Sequence, residues 1–257
     1  MKIELKSGSV GYLDQGKGPA VLLLHAFPLH HRMWEPQIEL LSANFRVIAP
    51  DLRGFGGSQR ASAWTMEEVA DDLAELLEKL EIMDCAVVGV SIGGYIAFSL
   101  WARHAKYVRQ LVLSNTRARA DNDTEKTARN EMIAALEQNG PSILPDRMLP
   151  RLLKPNPNAD VVARVRSMIG ESSASASIYA VMAMRDRPDC STLLFRISCP
   201  TMVITGGEDT IIRVEDSRAM ANSIPGSCFN RIPNSGHLSS LENPGQFNRV
   251  LQDFLSR

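Results

Sequence analysis

Residues Val87 to Phe98 read VVGVSIGGYIAF and hold one serine, Ser91, among three glycines. Gly89-Val90-Ser91-Ile92-Gly93 is a G-x-S-x-G pattern, followed directly by Gly94. The apolar run before it and the helix-like run after it predict strand, turn and helix. In that context a serine sits at a strained turn with its hydroxyl pushed above the sheet. The turn also leaves the Ile92 N–H free at a helix N-terminus, where it can meet a developing oxyanion. A serine so placed attacks acyl carbonyls once a base takes its proton. Taken alone, the pattern equally describes a Gly-rich turn with an N-capping serine.

The base has to come from five histidines: His25, His30, His31, His104 and His237. His237 lies in PNSGHLSSLENP, a polar loop between the last strand and the last helix. His104 falls about three and a half turns along the helix that follows Ser91, out of reach of the hydroxyl. His25 ends a strand, with His30 and His31 close behind. VITGGEDTII places Glu208 and Asp209 directly after another strand; Asp209 is the candidate acid, with Glu208 and Asp216 as lesser alternatives. Ser91, Asp209 and His237 thus stand at carboxyl ends of strands, in the chain order Ser, Asp, His. No metal is expected, since adjacent histidines such as His30 and His31 rarely converge on one ion and the sequence clusters no carboxylate with them.

The positioning elements are legible around these residues. The apolar runs AVLLLHA, FRVIAPDL, CAVVGV, QLVLSN and TMVITG read as strands covered on both faces, and CFNRIP as a last short one. IELKSGSVGYLD reads as a more polar pair at the sheet edge. Helical patterns lie between them, the clearest being TMEEVADDLAELLEKLEI, whose Thr65 and Glu68 form a capping-box signature. The predicted fold is α/β, with a mostly parallel central sheet flanked by helices. Residues 116–197 hold helical patterns without strand signals, divided by Pro141, Pro145, Pro150, Pro155 and Pro157. So long a stretch between two strands reads as a small helical subdomain, with 1–115 and 198–257 forming the core.

The net charge of −1 offers no basic excess for nucleic acid or an anionic membrane surface. No apolar run reaches the ~20 residues a membrane span requires. The start MKIELKSGSVGYLD lacks the long apolar stretch of a secretory leader, and the four cysteines form no C-x-x-C pair. The expectation is a cytoplasmic protein without cofactor, acting on a small molecule as a monomer or small homo-oligomer. H-E-x-x-H and G-x-x-x-x-G-K-[ST] are absent, so metalloprotease and P-loop chemistry have no support.

Five segments in order resemble the α/β-hydrolase fold superfamily, in its serine esterase and lactonase-like branch: HAFPLHHRMW, DLRGFGGS, GVSIGG, GGEDTI and NSGHLSSLENP. The resemblance spans essentially the whole chain and extends to carboxylesterases and 3-oxoadipate enol-lactonase-like hydrolases. It implies Ser91 as nucleophile, His237 as general base and acid, and Asp209 as its orienter. It also implies an oxyanion hole of the Phe27 and Ile92 N–H groups, with His25 tying down the oxyanion loop. DLRGFGGS would brace the floor of the site, Asp51 and Arg53 forming a charge-paired turn. A serine at the elbow argues against the dehalogenases and epoxide hydrolases of this fold, which use an aspartate. Two departures are Ala26, where the family has glycine, and Arg213, where it often has proline and where the side chain is expected to face solvent.

The helical insertion would form a cap over the site. Met182, Met184, Tyr179, Ile178, Leu149 and Leu153 are candidates for its inner face, and Phe27, Trp34 and Ile92 for the pocket wall. From these an apolar pocket for a small to medium, uncharged ester or lactone is expected. Enol-lactone, C–C bond, thioester and perhydrolase chemistries all use the same triad, and a ligand receptor on a hydrolase scaffold is the non-enzymatic alternative.

Overall fold

A computed structural model of the chain describes residues 1–59 and 62–257. Eight strands form one sheet: β1 (Lys2–Leu5), β2 (Gly8–Gln15), β3 (Ala20–Leu24), β4 (Arg46–Pro50), β5 (Cys85–Val90), β6 (Val108–Ser114), β7 (Thr201–Gly206) and β8 (Cys228–Ile232). Their order across the sheet is β1-β2-β4-β3-β5-β6-β7-β8. The pairs β1–β2 and β2–β4 are antiparallel and all others parallel. The central strands β3 and β5 are buried at every residue, as their unbroken apolar runs require once helices cover both faces. β1 alternates toward solvent at the edge, where a polar face is tolerated.

Among the described residues, ten α-helices follow in chain order: α1 (Glu35–Leu41), α2 (Met66–Lys79), α3 (Ile92–His104), α4 (Asp123–Asn139), α5 (Leu144–Leu152), α6 (Ala159–Gly170), α7 (Ala174–Asp186), α8 (Val214–Asn222), α9 (Ser239–Glu242) and α10 (Pro244–Leu255). The capping box of α2 forms as its sequence implies: Thr65 Oγ1 accepts from Glu68 N, and Glu68 Oε2 accepts from Thr65 N. The stretch between β6 and β7 is helical throughout its regular elements, α4 to α7. Two of its prolines do not separate helices. Pro145 lies in the first turn of α5, where a missing N–H is harmless, and Pro150 lies inside the same helix. No helix among the described residues is long and apolar enough to cross a membrane.

Parallel pairing aligns the carboxyl ends of β3, β5, β6, β7 and β8 along one edge of the sheet. The residues that follow those ends are Phe27, Ser91, Asn115, Asp209 and His237, so strand order alone makes them neighbours.

Candidate active site

Ser91 connects β5 to α3 with φ +57° and ψ −116°, a conformation that costs a non-glycine residue energy. Its backbone is bonded on both sides: Ser91 N donates to Ser114 O (3.0 Å), and Ser91 O accepts from Thr116 Oγ1 (2.8 Å). The glycines of the motif are there for close approach. A Cβ at Gly89 would lie 2.4 Å from Gly93 O, and one at Gly93 would lie 2.3 Å from Leu24 O. Only hydrogen fits at either position, so the turn can be this tight and hold the serine above the sheet.

His237 and Asp209 meet as an oriented pair. His237 Nδ1 and Asp209 Oδ2 are 2.9 Å apart, and both side chains are buried. Asp209 Oδ1 accepts from the backbone N–H groups of Ile211 (2.8 Å) and Ile212 (3.0 Å). Burial pushes the Asp209 carboxyl up, but the His237 charge and these hydrogen bonds outweigh it and hold the group below its ordinary range. Engaging Nδ1 in this way leaves Nε2 as the ring nitrogen open to other chemistry. The lesser alternatives are elsewhere: Glu208 is exposed, and Asp216 pairs with Arg213. Arg213 itself is 73% exposed, facing solvent as expected.

Asn115 was not singled out from the sequence. It is fully buried at the end of β6 with φ +48°, in the left-handed region that asparagine tolerates best among non-glycine residues. Its Nδ2 donates to Asp209 Oδ2 (2.8 Å), and its Oδ1 accepts from Ser239 Oγ (2.7 Å) and Ser114 Oγ (2.9 Å). It therefore ties the acid to the loop that carries His237. The available signal was the final residue of QLVLSN, a polar side chain directly after a buried strand.

The loop after β3 is stitched to the DLRGFGGS turn. His25 Nε2 accepts from Leu52 N (2.9 Å) while its Nδ1 donates to Ala26 O (3.0 Å), which sets the tautomer. Asp51 Oδ1 accepts from both the backbone and the ring of His31 (2.8 Å each), and its Oδ2 accepts from Gly57 N (2.7 Å). His30, His31 and Asp51 do cluster, which their sequence separation concealed. His31 Nδ1 is engaged by Asp51, and His30 Nε2 lies 3.3 Å from Glu171 Oε2. Arg53 pairs with Asp72 rather than Asp51 (Nε to Oδ2, 2.6 Å). Ala26 is buried without a positive φ, so its β-carbon meets no backbone strain. Among the described residues, the N–H groups of Phe27 and Ile92 have no acceptor. That is the state two oxyanion donors must have.

His25 gives the fold an acid limit. Complete burial pushes its ring pKa down from 6.5 to about 4. Between those values the unfolded chain binds a proton that the native chain does not, so stability present above pH 6.5 is lost as pH falls toward 4, by about 3 kcal/mol. The melting temperature should fall across this window, and His25→Gln, which cannot titrate, should show a shallower acid slope. Equal slopes in thermal melts of the two proteins would contradict this.

A cavity of about 140 Å³ opens at the serine, with Ser91, His237 and Phe27 in its wall. Ser91 and His237 share the cavity without a hydrogen bond between them, a separation common in ligand-free sites of this kind. The other wall comes from α4, α5 and α7, with Met132, Met148, Val181 and Met184 as apolar members. Of the expected inner-face and pocket residues, Trp34, Ile92, Leu149, Leu153, Ile178, Tyr179 and Met182 are not in the cavity wall. Trp34 is fully buried against Phe247 of α10, ring centroids 6.3 Å apart. Met182 lines a separate groove with Trp64 and Asp186, and Tyr179 stands one helical turn before it on the same side of α7. Val181 and Met184, also three apart, take the inner face instead. The Ile92 side chain is fully buried in the core, so the residue can serve the site only through its N–H. Nor is the lining apolar: Arg117, Glu125, Arg129 and Arg151 are part of it. Arg117 lies in the loop after β6, while Glu125 and Arg129 of α4 and Arg151 of α5 are carried to the cavity by the way these helices pack.

Residues 19–244 match the family described as the alpha/beta hydrolase fold. Among solved structures, the chain is 37% identical to a thermophilic esterase from Thermogutta terrifontis, solved with malate bound, over 100% of this chain and 97% of that one, with a TM-score of 0.95. It is 26% identical to an enol-lactonase from Burkholderia xenovorans LB400, over the full length of both chains, with a TM-score of 0.91. A curated relative, 3-oxoadipate enol-lactonase 1 of Acinetobacter baylyi, is 26% identical over 97% of this chain and 93% of its own length. A match over most of the sequence, on a sheet with this strand order, means that the chain belongs to the alpha/beta hydrolase fold family.

Proposed function

We propose that this chain is a serine hydrolase of carboxylic esters. The observation that carries the reading is the shared cavity: a serine on a strained turn, a histidine oriented by a buried carboxylate, and two N–H groups without acceptors nearby. Ser91 Oγ attacks the ester carbonyl as His237 Nε2 takes its proton. The tetrahedral oxyanion receives hydrogen bonds from Phe27 N and Ile92 N. Collapse breaks the ester C–O bond, and the His237 imidazolium protonates the departing alcohol. Water then repeats the sequence on the acyl-enzyme, releasing the acid and restoring Ser91. Asp209 stays ionised throughout and stabilises the imidazolium.

A lactone is an internal ester and enters the same sequence, in keeping with the esterase and enol-lactonase relatives. Residues 116–197 serve as the cap, since α4, α5 and α7 supply the wall opposite Ser91. A panel of p-nitrophenyl esters, lactones and thioesters tests the reading. Saturable cleavage of short esters or lactones is expected, with thioesters cleaved no better. Saturable binding without turnover of any of them would replace it with the ligand-receptor alternative.

A further inference from the structure

We propose that the cavity holds a carboxylate-binding subsite centred on Arg151, so that the ester or lactone it takes carries an anionic end; this rests on the serine-hydrolase reading above.

The charge of the cavity wall is the first support. Three guanidinium groups line it, from Arg117, Arg129 and Arg151, against one carboxylate, Glu125. Glu125 has little capacity left to repel an anion or to neutralise Arg151. Its Oε1 accepts from Arg117 Nη1 (2.6 Å) and Arg119 Nη2 (2.8 Å), and its Oε2 from Arg119 Nη1 (2.6 Å) and Asn122 N (2.9 Å). Arg119, first among these partners, holds the Glu125 carboxyl down to about 2. Behind the wall, the wholly buried Asp121 is shared by Arg117, Arg129 and Arg187. Of these four guanidinium groups, Arg117 and Arg129 reach the cavity; with Arg151 they set three cations against one lining carboxylate, in a partly enclosed space where charge is screened less than on open surface.

Arg151 is the member with capacity to spare. Among the described residues it has no acidic partner, and it is exposed while still lining the cavity, which places it at the mouth. Its backbone is fixed relative to His237. Leu238 N donates to Leu152 O (3.1 Å), and the Glu242 carboxylate accepts from both Lys154 N (2.8 Å) and Gly236 N (2.7 Å). The end of α5 and the His237 loop are therefore fastened together on both sides of the histidine. A planar guanidinium held there matches a carboxylate at the far end of a substrate whose carbonyl sits at Ser91.

The test uses pH-stat titration of half-esters, monomethyl succinate through monomethyl pimelate, beside methyl esters of the matching uncharged acids. The wild-type enzyme should favour one anionic ester over its neutral match by about 30-fold in kcat/KM, mainly through KM. That preference should shrink as salt is raised. Arg151→Gln should bring the ratio toward one, and Arg151→Lys should restore part of it. Free glutarate reads the subsite without turnover: by calorimetry it should bind the wild type and bind Arg151→Gln about tenfold more weakly or worse. A wild-type preference for neutral esters, or a ratio unchanged by Arg151→Gln, overturns the subsite while the hydrolase stands. Glutarate bound through Arg151 with no ester cleaved keeps the subsite and removes the hydrolase. Neither binding nor cleavage overturns both.

Discussion

Replacing Ser91 by alanine should lower kcat/KM for p-nitrophenyl butyrate by roughly 10⁵–10⁶-fold, because acyl transfer then has no nucleophile. The substitution removes one oxygen and keeps the β-carbon, so the strain at φ +57° is the same in both proteins. The bonds that hold the turn belong to backbone atoms of residue 91, from Ser91 N to Ser114 O and from Thr116 Oγ1 to Ser91 O. The melting temperature should therefore stay within a few degrees of the wild type. A variant that retains a tenth of the wild-type rate would mean that another group attacks the ester, or that water does so directly.

Asp209→Asn should cost about 10⁴-fold in kcat with KM little changed. Every partner of the Asp209 carboxylate is a donor: His237 Nδ1, Asn115 Nδ2, Ile211 N and Ile212 N. An asparagine must aim its NH₂ at one of them. The softest adjustment is at His237, whose ring can change tautomer so that Nδ1 accepts. Nε2 then carries the proton and cannot take one from Ser91. The imidazolium also loses its counter-charge in a buried site, where that charge matters most. Steady-state kinetics with a thermal melt checks this. Loss of less than tenfold in kcat would show that His237 does not depend on Asp209.

How much of this was legible in the sequence follows from how local each feature is. A strand buried on both faces favours an unbroken apolar run, and β3 and β5 carry one. The elbow at Ser91 needs small residues at Gly89 and Gly93 because backbone atoms approach within van der Waals contact, so its signature is compact. Asp209 and His237 each follow a strand end, and sheet order brings them together. The pocket is different. Its outer wall is built from α4, α5 and α7, and which face of each helix turns inward depends on how the helices cross. Val181 and Met184 line the cavity while Met182 and Tyr179 do not, a difference of rotation about one helix axis that composition does not encode. The arginines were hidden for the same reason. Asp121 and Arg187 meet across a separation of 66 residues, and α4 buries only Leu136 among its seventeen residues, so its charges read as a solvated face. One asparagine after a strand is ordinary in a sequence, and only its partners mark Asn115 as part of the site.

Intact mass after incubation with a fluorophosphonate tests the central claim most directly, because the reagent reports an activated serine without any assumption about substrate. The proposed mechanism predicts a single adduct on the wild-type protein and none on Ser91→Ala. An unmodified wild-type protein, or an adduct of equal yield on Ser91→Ala, would contradict it.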